Sequence, residues 1–150
     1  MGLAQSAEVD PDDLDLQIDI ELDDEAVRPE YFTPGRGTFT IFAPRDIKLV
    51  VDEWAYVYTG LSFRLPFMLV IVVESLSSSL GVKRMIIDCE DQLPLVLRVF
   101  PSDIDGLLYN PDPEDENAFL VKRGQPLASA MVLPIARPGF RFYKSQLERV

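Results

Sequence analysis

Short segments rich in β-branched and aromatic residues, broken by turn signals about every 6 to 12 residues, set the pattern of this chain from Glu30 onward. The longest apolar run, 67–73, ends at Glu74. Its length suits a buried strand and falls far short of the roughly 18 apolar residues that span a bilayer. Prolines recur throughout, and no window shows helical periodicity. The pattern predicts an all-β barrel or sandwich.

The predicted strands follow these segments, with Asp52-Glu53 as the turn between the second and the third. They are 39–42, 46–51, 54–58, 62–65, 68–73, 84–87, 95–100, 118–121, 130–133 and 140–142. Between them, 101–117 holds three prolines among acids and amides, so we predict a surface loop inserted into the fold. The serine-rich stretch 75–79 is interpreted as a strand end and loop.

Three aromatic residues alternate in one predicted strand: Trp54, Tyr56 and Tyr58. Alternation places them on one face of a sheet, where they either pack or form an exposed stripe. We expect packing on a sheet face.

Composition excludes several kinds of chemistry. At 150 residues the chain is long enough for one domain with a core. It has no histidine, which excludes histidine-based triads, zinc sites and acid–base catalysis. A single cysteine, Cys89, forbids an internal disulfide. The N-terminus is acidic and has no basic or apolar leader region, so no secretory signal is expected.

The net charge of −11 is concentrated in the first thirty residues. That stretch contains eleven acids and one base, Arg28, and therefore carries −10, while the remaining 120 residues carry −1. Nucleic acid is not an expected partner for such a segment, because phosphate binding requires clustered Lys and Arg. A basic protein surface is the natural counterpart. We predict no membrane partner.

The acidic arm, 1–32, also contains the clearest periodicity in the chain, within 13–23. Acids and Gln17 alternate strictly with five apolar residues, which are Leu14, Leu16, Ile18, Ile20 and Leu22. Period-2 alternation places the five apolar side chains on one face of a strand. Three interpretations stay open: an edge strand of the chain's own domain, a strand lent to a neighbouring subunit or another protein, and disorder until a partner binds. The five apolar residues are the candidate partner-binding residues.

Three motifs resemble those of the dUTPase family. TGLSFRLP at 59–66 is similar to the family's T-G-L-x-x-x-L-P strand, and KRGQPLA at 122–128 is similar to its K-x-G-x-x-[IL]-A turn. Between them, GVKRMIID at 81–88 resembles the segment that supplies the catalytic aspartate, which would be Asp88. Order and spacing fit, and the resemblance covers roughly 33–135. It implies a β-clip fold of the dUTPase type.

Most positions that carry the family's chemistry hold other residues here. Thr40 stands in place of the first motif's aspartate, Leu76 in place of the phosphate-binding arginine, and Asp91 in place of the sugar-stacking tyrosine. Glu74 adds a negative charge that would repel a triphosphate. The fourth motif lacks its Asp-Arg and Gln, and the only candidate for the glycine-rich fifth motif is RPGFRF at 137–142.

We therefore interpret Asp88 as a strand-end residue that satisfies turn amides or an inter-subunit hydrogen bond, and it is the catalytic candidate only if the chain is an enzyme. The acidic turn 88–91 is interpreted as a solvated loop, so no metal site and no cofactor are expected; Mg²⁺ would be required only if the chain were an enzyme.

The resemblance implies a homotrimer, because in that family the sites lie between subunits and the C-terminal strand crosses to a neighbour. Some head-decoration proteins of tailed phages also have β-clip folds, form trimers and anchor through N-terminal arms. We therefore expect a non-catalytic trimeric structural or interaction protein with an arm at 1–32, a domain at 33–143 and a tail at 144–150. The favoured role is capsid decoration or a minor capsid protein, located in the virion, and otherwise cytoplasmic. Two alternatives are a divergent dUTPase or dCTP deaminase-like hydrolase and a dUTPase-derived regulator that binds another protein.

Overall fold

The computed structural model describes residues 17–31, 37–101, 107, 109–136 and 138–145, which form twelve β-strands and no α-helix. The strands are β1 (Asp19–Leu22), β2 (Glu30–Tyr31), β3 (Thr38–Phe42), β4 (Ile47–Val50), β5 (Trp54–Arg64), β6 (Leu69–Glu74), β7 (Leu80–Val82), β8 (Met85–Asp88), β9 (Glu90–Val99), β10 (Asn110–Asp112), β11 (Asp115–Val121) and β12 (Pro126–Pro134). The all-β prediction is confirmed. Within the same residues no helix is long and apolar enough to cross a membrane.

The strands form three antiparallel sheets around one core. A four-stranded sheet has the order β1-β5-β9-β7, a five-stranded sheet has the order β2-β3-β12-β6-β8, and a three-stranded sheet has the order β10-β11-β4. Inward-facing side chains from all three sheets fill the core, which includes Ile41, Ile71, Leu95, Leu97 and Val121, all fully buried. Alternation of buried and exposed residues along β5 and β9 is the period of a strand with one face on the core.

β5 is one long bent strand, although the sequence predicts two short strands there. Its pairing with β9 shifts register between Tyr58 and Ser62, where Gly60 has φ +78°. The buried Thr59 hydroxyl donates to the Leu93 carbonyl at 2.6 Å and accepts from the Leu61 amide at 3.3 Å. These bonds satisfy the backbone groups that the bulge removes from the ladder, so the strand continues through the bend.

Two strands of the arm, β1 and β2, pair with strands of the domain, while the boundary at 32/33 stays a prediction. β1 pairs antiparallel with β5, with Asp19 opposite Arg64 and Leu22 opposite Leu61, and β2 pairs with β3. Ile18 and Ile20 are half-buried against the core because the period-2 pattern fits the edge of β5. The interpretation as an edge strand of the same chain therefore holds for this half of the segment. Leu14 and Leu16 lie outside the described residues.

The predicted loop 101–117 is wrong at its C-terminal end, where β10 and β11 form a hairpin. The Asp112 carboxylate accepts from the Glu114 amide at 2.9 Å, and the Asp115 carboxylate accepts from the Asn117 amide at 3.0 Å. These Asp residues thus close the hairpin turn, although their polarity had the signature of a loop in the sequence. Lys48 lies 3.2 Å from Asp115 and 3.6 Å from Asp112.

Hydrogen bonds and charges in this hairpin shift the pKa values of Asp115 and Lys48. The Asn117 amide, and then the Lys48 ammonium, hold the pKa of Asp115 below its usual value. The same hydrogen bond from Lys48 to Asp115 raises the pKa of the lysine. Both groups are therefore stabilised in their charged forms at neutral pH.

Two further corrections concern short segments. Residues 140–142 form no strand, and Phe140 and Phe142 are exposed there, so the tail lacks the sheet neighbour that a strand requires. β7, which the sequence analysis did not predict, pairs with β9 because Gly81 leaves room for the Phe100 ring. The predicted turn at Asp52 is confirmed: its φ is +68°, and the Glu53 amide donates to the Val50 carbonyl at 3.1 Å.

Candidate functional site

The counterparts of three dUTPase motifs come together in one row across the five-stranded sheet. In this row Glu30 lies opposite Thr40, Thr40 opposite Ser129, and Ser129 opposite Glu74. Neighbouring strands lie about 4.8 Å apart, so the four residues are adjacent on the outer face. Thr40, at the position of the first motif's aspartate, and Glu74, at the second motif, thus lie in the same row.

The charges of this row are negative at both ends. Glu30 and Glu74 are exposed, and Thr40 is buried. Arg84 is paired with Glu74 at 3.5 Å, so its charge offsets that of the carboxylate. Leu76, in place of the arginine, is 43% exposed in the loop after β6. A row of this kind offers hydroxyls and carboxylates where a triphosphate would require cationic donors.

Asp88 lies at the end of β8, away from that row. It stands opposite Val70, which is four residues along β6 from Glu74, a separation of roughly 13 Å. Asp88 is half-buried, and the Cys89 thiol donates to its carboxylate at 3.4 Å. Cys89 has φ +59°, and its carbonyl accepts from the Leu65 amide at 2.6 Å, which fixes the turn between β8 and β9. One chain therefore does not bring Asp88 to the Thr40–Glu74 row.

Asp91, in place of the family's tyrosine, is exposed, and its carboxylate accepts from the Gln92 amide at 2.9 Å. No sugar-stacking ring occupies that position. In the described part of the chain no three Cys, Asp or Glu side chains converge as metal ligands. These residues therefore do not fit the Mg²⁺ that the enzyme alternative would require, and the absence of a cofactor stays a prediction.

The outer face of the five-stranded sheet is apolar next to the row. We define the apolar sheet face as Met68, Ile86, Met131, Leu133 and Ile135, whose exposed fractions are 47, 62, 38, 36 and 39%. Met131 and Ile86 flank Val72 in one row across the sheet, and the Ile135 amide donates to the Met68 carbonyl at 2.8 Å at its end. A contiguous exposed apolar face of this kind is typical of a protein interaction surface.

The sequence analysis missed this face, although a signal for it exists. Residues 70–73 are apolar without interruption, and all four are buried. A continuous apolar run is typical of a strand covered on both faces, whereas a strand with one solvated face alternates. The run therefore indicates that the outer face of β6 is shielded as well as the inner face.

The C-terminal tail carries a second exposed apolar set. Phe140, Phe142 and Tyr143 are 84, 89 and 85% exposed, and the two phenylalanine rings lie 6.1 Å apart. Arg141 separates them in sequence.

A third exposed set is the aromatic stripe on β5. Trp54, Tyr56 and Tyr58 are 52, 73 and 65% exposed, so the prediction that they pack on a sheet face is wrong. They point to the outer face of the four-stranded sheet, where no further layer covers them within the described residues.

The fold is that of dUTPases. The chain is similar to a point mutant of the dUTPase of Staphylococcus bacteriophage 80alpha, with 17% identity, a TM-score of 0.69 and coverage of 86% of this chain and 97% of that chain. It is also similar to a mutant dUTPase of phage phi11 of S. aureus, with 18% identity, a TM-score of 0.69 and coverage of 87% and 98%; that protein coordinates a structural Mg(II) ion. No family model and no curated protein matches the chain in sequence. The resemblance predicted from 59–66, 81–88 and 122–128 is confirmed at the level of the fold.

Proposed function

We propose that this chain is a non-catalytic, homotrimeric structural or interaction protein that uses the dUTPase fold as a scaffold. The observation that carries the proposal is the Glu30–Thr40–Ser129–Glu74 row, which lies where the family's phosphate-side residues are expected and ends in a carboxylate on each side. Electrostatic stabilisation of the transition state by positioned donors usually contributes more to catalysis than any other single effect. Among the described residues the cation at this row, Arg84, is already paired with Glu74, so we expect the row to provide little of that stabilisation.

Self-association is supported by the apolar sheet face and by the exposed tail. Each fully buried side chain of this type contributes roughly 1.5–3 kcal/mol, so covering the face would provide a substantial driving force. A symmetric arrangement of copies covers the same patch on every subunit. The resemblance to a family whose sites lie between subunits favours three copies.

The particular form that we propose is a virion decoration or minor capsid protein. The similar structures come from bacteriophages, and the acidic arm suits a basic shell surface. Docking through 13–23 has a constraint: Ile18 and Ile20 already pack on the domain, so they would have to leave it. Docking that leaves Ile18 and Ile20 in place would have to use the other three apolar residues of the segment. These are Leu14, Leu16 and Leu22, of which Leu22 is 42% exposed.

A protein-binding regulator is the second candidate. The dUTPase of bacteriophage 80alpha controls transfer of virulence genes by a proto-oncogenic G protein-like mechanism. In this chain the exposed aromatic stripe on β5 favours such a role, since aromatic residues are enriched in protein interfaces. The stripe also distinguishes the two candidate functions. A regulator would bind its partner through the stripe, whereas a decoration protein would attach to the shell through the arm.

The enzyme alternative is tested by pyrophosphate release from dUTP and from dCTP with Mg²⁺. We expect no saturable release, since losing a single transition-state contact typically costs about 10²–10³ in rate and several are replaced here. Asp88→Asn serves as the matched control and should equal the native chain. Saturable release that Asp88→Asn abolishes would overturn the non-catalytic assignment.

A further inference from the structure

The outer face of the four-stranded sheet carries a groove along β5. Two adjoining cavities of about 480 and 270 Å³ lie in it, and both are lined by Glu21 and Ser62. The first reaches Tyr58, the last residue of the aromatic stripe, and the second reaches Arg64. We define the β5 groove as the stripe together with these two cavities. It follows the eleven residues of β5, a length of roughly 36 Å.

One half of the groove is aromatic. Tyr56 and Tyr58 lie opposite Val96 and Pro94 of β9, which are half-buried, so the rings stand beside a low apolar floor. At the far end the Arg98 guanidinium lies 5.3 Å from the Trp54 ring centroid, and its charge is paired with Asp52. Alternate side chains of a strand lie roughly 6.7 Å apart, and the same spacing separates alternate side chains of an extended peptide.

The other half is acidic. Glu21 lies opposite Ser62 and Asp19 opposite Arg64. The cavity linings hold four acids, Asp19, Glu21, Asp23 and Glu90, and one base, Arg64, which gives 1 − 4 = −3. Arg64 is paired with Glu90 at 3.5 Å. Asp19 and Glu21 belong to no ion pair within the described residues.

The strand edge beside the aromatic half has no strand partner among the described residues. β1 pairs with β5 only from Leu61 to Arg64, and β9 pairs along its opposite edge from Trp54. The Arg45 guanidinium donates to the Tyr58 carbonyl at 3.4 Å, which is a long bond to that edge. Backbone groups at an unpaired edge can accept an added strand.

We propose that the β5 groove binds an extended basic segment of another protein, with lysine or arginine side chains at Asp19 and Glu21 and its remaining side chains on the aromatic half. Charge decides the kind of occupant: carboxylates without cations take ammonium or guanidinium groups, and tyrosine faces attract the same cations. The acidic arm of a second copy, which carries −10 of the chain's −11, brings charge of the same sign and is disfavoured as the occupant. This inference rests on the proposed interaction role.

The test uses the full chain and a fluorescein-labelled decapeptide of alternating lysine and threonine, with fluorescence anisotropy at low and at 0.15 M salt. The decapeptide of alternating glutamate and threonine is the reference probe. Asp19→Asn with Glu21→Gln should weaken binding by about two- to fivefold per charge. Tyr56→Ala should weaken it by at least about fivefold, as expected for an aromatic contact at an interface centre.

Matched control variants remove the same kinds of side chain, two acids and one aromatic ring, from surfaces outside the groove. Glu114→Gln with Glu116→Gln removes two exposed acids from the β10–β11 hairpin, and Phe140→Ala removes an exposed ring from the tail. Both control variants should bind as the native chain does. Equal losses in the hairpin and groove variants would show general charge attraction and overturn the proposal, and so would unchanged binding by Tyr56→Ala.

Two further results separate this inference from the proposed function. If an unlabelled peptide of residues 138–145 displaces the probe and Glu21→Gln lowers the mass in solution, a second copy occupies the groove and the proposal is overturned. If the probe fails to bind while the mass stays trimeric and dUTP is not hydrolysed, this inference falls and the proposed function stands. Probe binding lost in the groove variants with unchanged mass supports a foreign basic partner.

Discussion

Gly60 shows how one residue sets the shape of the four-stranded sheet. Its φ of +78° is a region that residues with a side chain occupy at a cost, and a Cβ there would lie 2.3 Å from the Asp23 carboxylate. The Asp23 amide donates to the Gly60 carbonyl at 3.0 Å, so this glycine also anchors the turn after β1.

Gly60→Ala should therefore destabilise the chain by about 1–2 kcal/mol through backbone strain, and by more if Asp23 is displaced. Urea unfolding followed by tryptophan fluorescence measures the loss. Gly139→Ala is the control, because nothing lies within 4 Å of its added Cβ and the change should stay within about 0.5 kcal/mol. Equal effects of the two substitutions would contradict the role of Gly60.

Folding shifts the titration of Tyr109. Burial raises its pKa to about 12, and its hydroxyl donates to the Pro126 carbonyl at 2.5 Å. The unfolded chain ionises this tyrosine near pH 10 while the folded chain keeps it protonated. The unfolded state then binds fewer protons, so this group lowers the free energy of unfolding as pH rises from about 10 to about 12.

We predict that the alkaline decline of stability is shallower in Tyr109→Phe than in the native chain, measured by thermal unfolding between pH 9 and 11. Tyr143→Phe, at an 85% exposed tyrosine, is the control and should leave the slope unchanged. An identical slope in Tyr109→Phe would show that its hydroxyl is not shielded by the fold.

At the scale of elements, β1 shows what alternation can and cannot predict. The period-2 pattern of 13–23 gives the strand and its apolar face, and it leaves open whose sheet the strand joins. The choice depends on the shape of the edge that receives it: the segment of β5 after the Gly60 bend, where Ile20 lies opposite Phe63. That edge exists only once β5 and β9 have paired, which no local pattern encodes.

Ile20→Asp should release β1 and destabilise the chain by roughly 1–2 kcal/mol, because Ile20 is half-buried against the core. Amide hydrogen exchange should then speed up at 61–64, on the edge that β1 covers. Leu22→Asp introduces the same charge at a more exposed position and should cost less. Unchanged protection of 61–64 in Ile20→Asp would place the strand elsewhere.

For the candidate site, too, local sequence predicts some features, and others depend on how the strands are arranged. The fold could be predicted from the glycine turns and from the order of three short motifs. Gly60 and Gly124 both have positive φ, which ties two of these motifs to fixed turns. The replacement of arginine by Leu76 is also legible in the sequence. The apolar sheet face and the outward direction of Trp54, Tyr56 and Tyr58 depend on which strand face meets the core, and that depends on sheet order, which the sequence does not display.

At the scale of the whole molecule, groups of neighbouring exposed apolar side chains lie on the described surface at the apolar sheet face, the β5 stripe and the tail. Isolated exposed apolar side chains are ordinary, but monomeric soluble proteins rarely expose large contiguous apolar patches, so these faces favour an assembled protein. Assembly through the sheet face is therefore the central claim.

Sedimentation velocity of the full native chain tests this claim most directly, with Ile86→Arg as the interface variant and Leu76→Arg as a control in an exposed loop. We predict a species of three times 16.9 kDa, about 51 kDa, at micromolar concentration for the native chain and for Leu76→Arg. Ile86→Arg should dissociate it, because a charge buried without a partner opposes the contact. A stable 16.9 kDa monomer of the native chain, or an unchanged trimer of Ile86→Arg, would contradict assembly through the apolar sheet face.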